Sequence, residues 1–149
     1  MNIPTNLIAA SVSSSVSTTK RNAALRGSGE LAGRILLATL FLLAGVGKLT
    51  AYTATATYMS SVGVPGVLLP AVIATELGGA LAIILGWRTR LVAALLAGFS
   101  VLTALIFHNN FADQMQMINF LKNLSIAGGF LLLVVNGAGP LSLDRRSGR

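Results

Sequence analysis

Five polar residues lie inside or beside long apolar runs of this sequence, and they are the side chains best suited to chemistry. Two are of proton-exchanging types, a glutamate and the single histidine, and three can donate hydrogen bonds or attract an anion. We predict that the first two exchange protons with a bound molecule and that the other three bind it. The predicted proton-exchanging residues are Glu76 and His108, and the predicted ligand-binding residues are Lys48, Asn119 and Asn123.

Glu76 is the central member of this set, because it lies in the middle of the apolar run of residues 68–85. A carboxylate at membrane depth is costly, so it persists where it is paired, protonated or part of a polar cavity wall. Lys48 ends the first apolar run and His108 follows the third, so either could pair with Glu76. A paired Glu76 could also be only a structural clasp, and the two asparagines could serve as interhelical hydrogen-bonding groups.

Several kinds of site are excluded by residue type. The sequence contains no cysteine, which rules out a disulfide, a thiolate metal site and a Cys nucleophile in this chain. With one histidine, a zinc or iron site of three or four protein ligands is not expected. No self-contained catalytic motif is present, so the sequence leaves open whether the chain is an enzyme. We expect no metal and no covalently bound cofactor, and a redox function would need a bound molecule such as a quinone.

Composition and charge indicate a membrane protein. The 149 residues are 54% hydrophobic and only 10% charged, whereas soluble domains carry roughly 25% charged residues. The net charge of +7 does not indicate a nucleic-acid partner, because the basic residues stand at the ends of apolar runs and not on one solvated face. We therefore predict a multi-pass protein whose main partner is the lipid bilayer, with no nucleic-acid partner.

The apolar runs predict an all-α fold, an integral membrane four-helix bundle over residues 30–140. The four predicted spans are about residues 31–52, 68–85, 91–107 and 118–137. Residues 51–60 are too polar to span a membrane, and they contain Tyr52 and Tyr58, which suit an interfacial helix or loop.

Both ends of the chain are predicted to lie outside the bundle. Residues 1–29 are rich in Ser and Thr and basic, which predicts a disordered tail, although an organelle transit peptide has a similar composition. Deletion of such a tail is expected to leave membrane insertion and thermal stability nearly unchanged. Residues 141–149 are predicted to be a short basic tail.

The basic residues also predict the orientation. With four spans, every Lys and Arg except Lys48 and Lys122 lies on the side of the two termini. The positive-inside rule then predicts that both termini are cytoplasmic. Lys48 would lie about one turn and Glu76 about two turns below the outer boundary, at ~5.4 Å per turn, so the two side chains can meet. The inward half would be almost purely apolar, with Asn136 as the exception.

Five short stretches follow one another in the sequence: residues 43–49 (LAGVGKL), 76–90 (ELGGALAIILGWRTR), 108–109 (HN), 123–129 (NLSIAGG) and 139–144 (GPLSLD). In this order they resemble the successive signatures of the DoxX family of membrane proteins. The resemblance covers about residues 31–146 and implies a four-helix inner membrane protein of bacterial type. It also implies a link to redox chemistry, since some members are linked to thiosulfate:quinone oxidoreduction and others to complexes with detoxifying redox enzymes.

Three functions stay open at this point. The leading hypothesis is a membrane component of a redox system that binds a quinone-like molecule in an outward-half polar pocket, with redox enzymes or a second copy of the chain as partners. The alternative is a non-enzymatic membrane scaffold or assembly factor whose polar cluster only holds the helices together. The third is a small-solute transporter, which would need a polar path through the inward half as well.

Overall fold

The computed structural model describes the backbone of residues 5–148 and the side chains of residues 21–148. Within that part of the chain every regular element is a helix, so the predicted all-α class is confirmed. A short 3-10 helix at Gly66–Leu68 leads into the third α-helix. The α-helices are α1 (Thr5–Thr50), α2 (Tyr52–Ser61), α3 (Leu69–Leu85), α4 (Thr89–Phe107), α5 (Gln114–Asn136) and α6 (Leu143–Arg146).

Four helical segments of the described chain are long and apolar enough to cross a membrane, as the sequence predicts. In the 18-residue apolar stretch of each segment, no more than 33% of the residues are buried inside the protein. Large apolar side chains such as Leu36, Leu132 and Val135 point outward instead. Exposure on this scale fits a hydrocarbon solvent, because a soluble domain would bury such a face. The segments are Arg21–Thr50, Gly66–Leu85, Thr89–Phe107 and Gln114–Asn136.

The bundle is built from two helical pairs. α1 packs mainly against α3, α4 packs mainly against α5, and α3 contacts α4 to join the pairs. Phe41 of α1 meets Phe130 of α5 edge to face, with ring centroids 5.3 Å apart, at the centre of the bundle. Small residues surround this contact and let the backbones approach closely. The buried core is Ala38, Phe41, Ala80, Ile83, Ala93, Leu96, Ala97, Ala127 and Phe130.

α1 begins much earlier than the predicted span at residue 31. The described backbone is helical from Thr5, and Gly27 is buried against Pro140 of the chain that follows α5. The last residues of the predicted tail are therefore not disordered, because they are helical and Gly27 packs against Pro140. Residues 1–4 of that predicted tail, and the side chains of residues 1–20, lie outside what the structure describes.

The chain after α5 is not a free tail, because it packs on the rest of the bundle. It folds back over the turn between α3 and α4, where the backbone N–H of Asp144 donates to the oxygen of Gly86 at 2.9 Å. The Asp144 carboxylate accepts from the backbone N–H groups of Arg88 and Thr89 at 2.7 and 2.8 Å. A residue from the end of the chain thus caps the start of α4.

The turn itself depends on one glycine. Gly86 adopts the left-handed conformation, with φ of 67°, and its N–H and that of Trp87 return to the last turn of α3. A side chain at Gly86 would meet the backbone and side chain of Ser142 and the guanidinium of Arg34. Both the backbone angle and the close packing therefore require glycine here.

Candidate functional site

The predicted pair of Lys48 and Glu76 is formed. The Nζ atom of Lys48 lies 2.7 Å from Oε1 of Glu76 and joins α1 to α3. Glu76 is only 4% exposed, so its carboxylate is buried inside the protein and its charge needs a partner there. Of the two partners that the sequence allows, Lys48 and His108, the structure pairs Glu76 with Lys48. We call this end of the bundle the Lys48 end.

A glycine on α1 brings the two helices close enough for the pair. A Cβ atom on Gly45 would lie 2.6 Å from a methyl carbon of Leu77 and 3.4 Å from Cβ of Glu76. Gly47, two residues further on, has no atom of another segment within 4 Å of such a Cβ. α3 therefore packs against Gly45, which lies one turn before Lys48 on α1.

A cavity of about 280 Å³ lies beside the ion pair, and its wall includes Lys48, Glu76 and His108. α2 closes one side of it, since Met59 is buried against Leu69 and Ile73 of α3. The predicted interfacial segment at residues 51–60 is thus largely a helix, and it covers the cavity. Apart from these three residues the wall is mostly apolar and aromatic, with a few hydroxyl groups. Its other residues include Thr55, Tyr58, Met59, Phe99, Thr103 and Phe107.

The second oxygen of Glu76 is the least satisfied group in this wall. Oε2 is buried and has no hydrogen-bond partner among the described residues, whereas Oε1 is bonded to Lys48. A buried polar atom without a partner is uncommon in native structures and is found at sites of binding or catalysis. The carboxylate can therefore accept a hydrogen bond from a bound molecule, or donate one when it is protonated.

His108 is held in position by a residue that the sequence argument missed. Its Nδ1 atom lies 2.7 Å from Oε1 of Gln116, in the first turn of α5. With the amide oxygen of Gln116 as acceptor, Nδ1 carries a hydrogen and Nε2 of the neutral ring can take up a proton. Gln116 lies eight residues after His108, across a loop, so no helical spacing connects the two residues in the sequence.

Asn119 and Asn123 are close to each other, as predicted, but neither lines the cavity. The side chain of Asn123 donates to the backbone oxygen of Asn119 at 3.0 Å, and the side chain of Asn119 accepts from Lys122 at 2.9 Å. Both amides are thus engaged along α5 itself. A role for them in ligand binding stays a prediction, and neither residue contacts this cavity.

The opposite end of the bundle, which we call the Arg34 end, is more polar than expected. The expectation of an almost apolar half there is wrong, because Arg34 is fully buried. Its guanidinium donates to the backbone oxygens of Ile83 and Ile84 at 3.2 Å each, and to that of Leu141. The arginine therefore does not extend to the lipid headgroups; it stabilises the last carbonyls of α3, where a positive charge is favourable.

No metal site accompanies either polar end within the described residues, where no group of three or more His, Asp or Glu side chains is close enough to hold an ion. The two ends are separated by the apolar core around Phe41 and Phe130. At the Lys48 end, one cavity wall contains both predicted proton-exchanging residues, Glu76 and His108.

Comparison with known proteins supports the resemblance seen in the sequence. The family model described as DoxX matches residues 29–109, more than half of the chain, and this stretch contains Lys48, Glu76 and His108. Inner membrane protein YqjF of Escherichia coli (strain K12) is 51% identical over 121 residues, which are 81% of this chain and 93% of YqjF. Inner membrane protein YphA of the same organism is 42% identical over 123 residues, 78% of this chain and 88% of YphA.

No solved structure matches the chain significantly. The sequence relatives, the family model and the four membrane-length helices agree with one another. The chain is therefore an inner membrane protein, and it belongs to the DoxX family.

Proposed function

We propose that this protein is the membrane component of a redox system and binds a quinone-like molecule in the cavity at the Lys48 end. In this proposal both termini are cytoplasmic, so the cavity belongs to the outward half of the bundle. The orientation is supported by the positions of the basic side chains that the structure describes, of which Lys48 and Lys122 alone lie at the Lys48 end.

The observation that carries the proposal is the second carboxylate oxygen of Glu76. A structural clasp needs only the bond between Lys48 and Oε1, yet Oε2 is buried in the same cavity wall with no partner among the described residues. A ligand that offers a hydroxyl or a carbonyl to that position would satisfy the group, in its ionised or its protonated form respectively.

The size and lining of the cavity support a ring-shaped ligand. Its volume of about 280 Å³ is at the lower limit of the ~300–1,000 Å³ typical of small-molecule sites. A single ring with polar substituents suits this space, while an isoprenoid tail would extend into the lipid. Aromatic residues Tyr58, Phe99 and Phe107 can contact the ring, and charged groups at one side can contact its oxygens.

Each ionisable residue has a distinct part in this proposal. Lys48 supplies a positive charge beside the ligand and holds Glu76 in place. Glu76 and His108 hold and transfer protons at Oε2 and Nε2. When bound, a quinone supplies two-electron, two-proton chemistry, and its electrons come from a partner redox enzyme, because this chain has no cysteine or metal-binding group of its own in the described residues.

The competing functions make different demands on the same structure. A scaffold needs the ion pair but not the cavity, and it leaves the unpartnered oxygen of Glu76 unexplained. A transporter needs a polar path between the two ends, and the core around Phe41, Leu96 and Phe130 is apolar and closely packed. These features favour a binding site that opens at one end only.

The proposal is tested by the quinone content of the purified protein. Wild type and the double variant Lys48→Met/Glu76→Gln are purified in the same mild detergent, extracted with organic solvent and analysed for quinone per mole of protein. We expect near-stoichiometric quinone in the wild type and about ten-fold less in the variant, as loss of one charge-assisted hydrogen bond implies.

A matched control separates specific binding from carry-over with lipid. Arg26→Gln/Glu30→Gln removes the other ion pair of the described residues, which lies at the Arg34 end and has an N–O distance of 2.9 Å. This control should retain the wild-type quinone content. Equal quinone in all three proteins would show carry-over and would contradict the proposal, and a wild type without quinone would favour the scaffold.

A further inference from the structure

A second and larger cavity, of about 770 Å³, lies at the Arg34 end. Three segments enclose it: the part of α1 before residue 31, the turn and first residues of α4, and the chain that follows α5. We propose that this cavity is a binding site for a phosphate group, carried by an anionic phospholipid. The proposal is independent of the function proposed for the Lys48 end.

Charge at this cavity favours an anion. Its charged lining consists of four arginines and two carboxylates. Oε1 of Glu30 bonds to Arg26 at 2.9 Å, whereas its Oε2 is buried with no partner among the described residues. Asp144 accepts from two backbone N–H groups at the start of α4. Positive charge therefore prevails, and arginine forks match phosphate oxygens well. The charged lining residues are Arg26, Arg88, Arg90, Arg145, Glu30 and Asp144.

An independent observation points to a ligand in the same place. Thr89 lines the cavity and is 1% exposed, yet its Oγ1 atom has no hydrogen-bond partner among the described residues. A threonine in the first turn of a helix normally finds an acceptor or is replaced by an apolar residue. A phosphate oxygen in the cavity would accept from this hydroxyl, in addition to the arginines.

The location in the bundle identifies the source of the phosphate as a lipid. The cavity lies where α4 begins and α5 ends, which is the level at which membrane helices reach the headgroups. Trp87 and Leu91 are about half exposed beside it, at 50% and 54%, and offer an apolar surface to acyl chains. Basic pockets between membrane helices are known sites for anionic headgroups, including that of cardiolipin.

The test measures lipid binding to the purified full chain in detergent. Cardiolipin and phosphatidylcholine are titrated separately and bound lipid is counted by native mass spectrometry, with inorganic phosphate as a third arm. We expect saturable cardiolipin binding and no comparable binding of the zwitterionic lipid. Arg90→Gln/Arg145→Gln should weaken cardiolipin binding about ten-fold or more, and Thr89→Val should weaken it several-fold without loss of thermal stability.

The matched control is Arg21→Gln/Arg146→Gln, which removes two positive charges from exposed positions at the same end that do not line the cavity. It should change cardiolipin affinity less than about two-fold. An equal loss in the control, or no loss in the cavity variants, would overturn the proposal. Binding of inorganic phosphate that the cavity variants abolish, with no lipid binding, would retain the phosphate site and overturn the lipid as its source.

Discussion

Lys48 and Glu76 share a single bond of 2.7 Å between α1 and α3, and it engages only one of the two carboxylate oxygens. Oε1 therefore links the two helices, whereas Oε2 forms no hydrogen bond with any described residue. The bond at Oε1 is therefore tested by measurements of stability, and the unpartnered Oε2 by measurements of ligand binding.

Replacing one partner of this pair should destabilise the protein more than replacing both. Glu76→Gln leaves Lys48 without its counter-charge, at a cost of about 3–5 kcal/mol that water entry in a membrane can reduce. Adding Lys48→Met should restore part of the loss. The free energy of unfolding of the four proteins of the cycle, measured by reversible denaturation in detergent micelles, gives the coupling. Strictly additive losses would mean that the two side chains do not interact.

Close packing at Gly45 should matter far more than packing at Gly47. Gly45→Leu places a side chain where Leu77 and Glu76 already lie, so α3 must move away and the ion pair with Lys48 must lengthen. We expect a loss of about 1–3 kcal/mol of stability, together with loss of bound quinone if that proposal is right.

Gly47→Leu is the control for this change, because Gly47 is exposed and a Cβ atom there would meet no other segment within 4 Å. It alters helix propensity in the same way but should leave stability near that of the wild type. Thermal unfolding of the two variants, measured side by side, provides the comparison. Equal effects at the two glycines would contradict the described approach of α1 and α3.

Loss of Arg34 should loosen the contact between α1, the end of α3 and the chain after α5. Arg34→Gln removes a buried cation that donates to Ile83, Ile84 and Leu141, and we expect a loss of about 2–3 kcal/mol. Arg21→Gln removes an exposed arginine of the same helix and should have little effect. Limited proteolysis near residue 141, followed over time, would report the loosening, and identical cleavage of the two variants would argue against it.

The predicted orientation can be checked with reporter fusions. Fusions after Arg146 and within the turn at residues 88–90 should report the cytoplasm, whereas fusions near Ser60 or Asp113 should report the opposite side. The reason is the concentration of arginine at the Arg34 end. An external signal from the 88–90 turn would reverse the orientation and place the cavity at the Lys48 end on the cytoplasmic side.

Deletions at the start of the chain should show a threshold. Removing residues 1–29 takes away Gly27, which is buried against Pro140, and Arg26, which bonds to Glu30, so thermal stability should fall by several degrees. Removing residues 1–20 retains these contacts and should cost less. Equal melting temperatures for the two truncated proteins would show that the contact at Gly27 does not stabilise the bundle.

Much of the fold and part of the site could be predicted from the sequence, because the membrane limits the possibilities. Uninterrupted apolar runs predicted the four spans, and the carboxylate inside them had only Lys48 or His108 as candidate partners within reach. The structure pairs Glu76 with Lys48. Gln116 could not be identified as the partner of His108 from the sequence, because that contact depends on a loop conformation and not on helical spacing.

The Arg34 end was harder to predict for a different reason. An arginine near the end of an apolar run is usually assigned to the headgroups, and nothing in the local sequence shows that the chain more than 100 residues later returns to meet it. The feature that could have indicated this role of Arg34 is the favourable position for a cation at the last carbonyl groups of α3. The side chains of Asn119 and Asn123 had the right spacing but bond to groups of α5 itself, namely Lys122 and the backbone oxygen of Asn119. A pattern of residue types cannot distinguish that arrangement from a shared site.

The cap that Asp144 provides for α4 has a consequence for the order of assembly in the cell. The N–H groups of Arg88 and Thr89 are made more than fifty residues before their acceptor, so α4 enters the membrane without its cap. Translation supplies the chain from its amino end, and the turn between α3 and α4 is completed only when residue 144 has left the ribosome. The connection between α3 and α4 is therefore fixed by the docking of a short segment around residue 144, after α4 itself has been made.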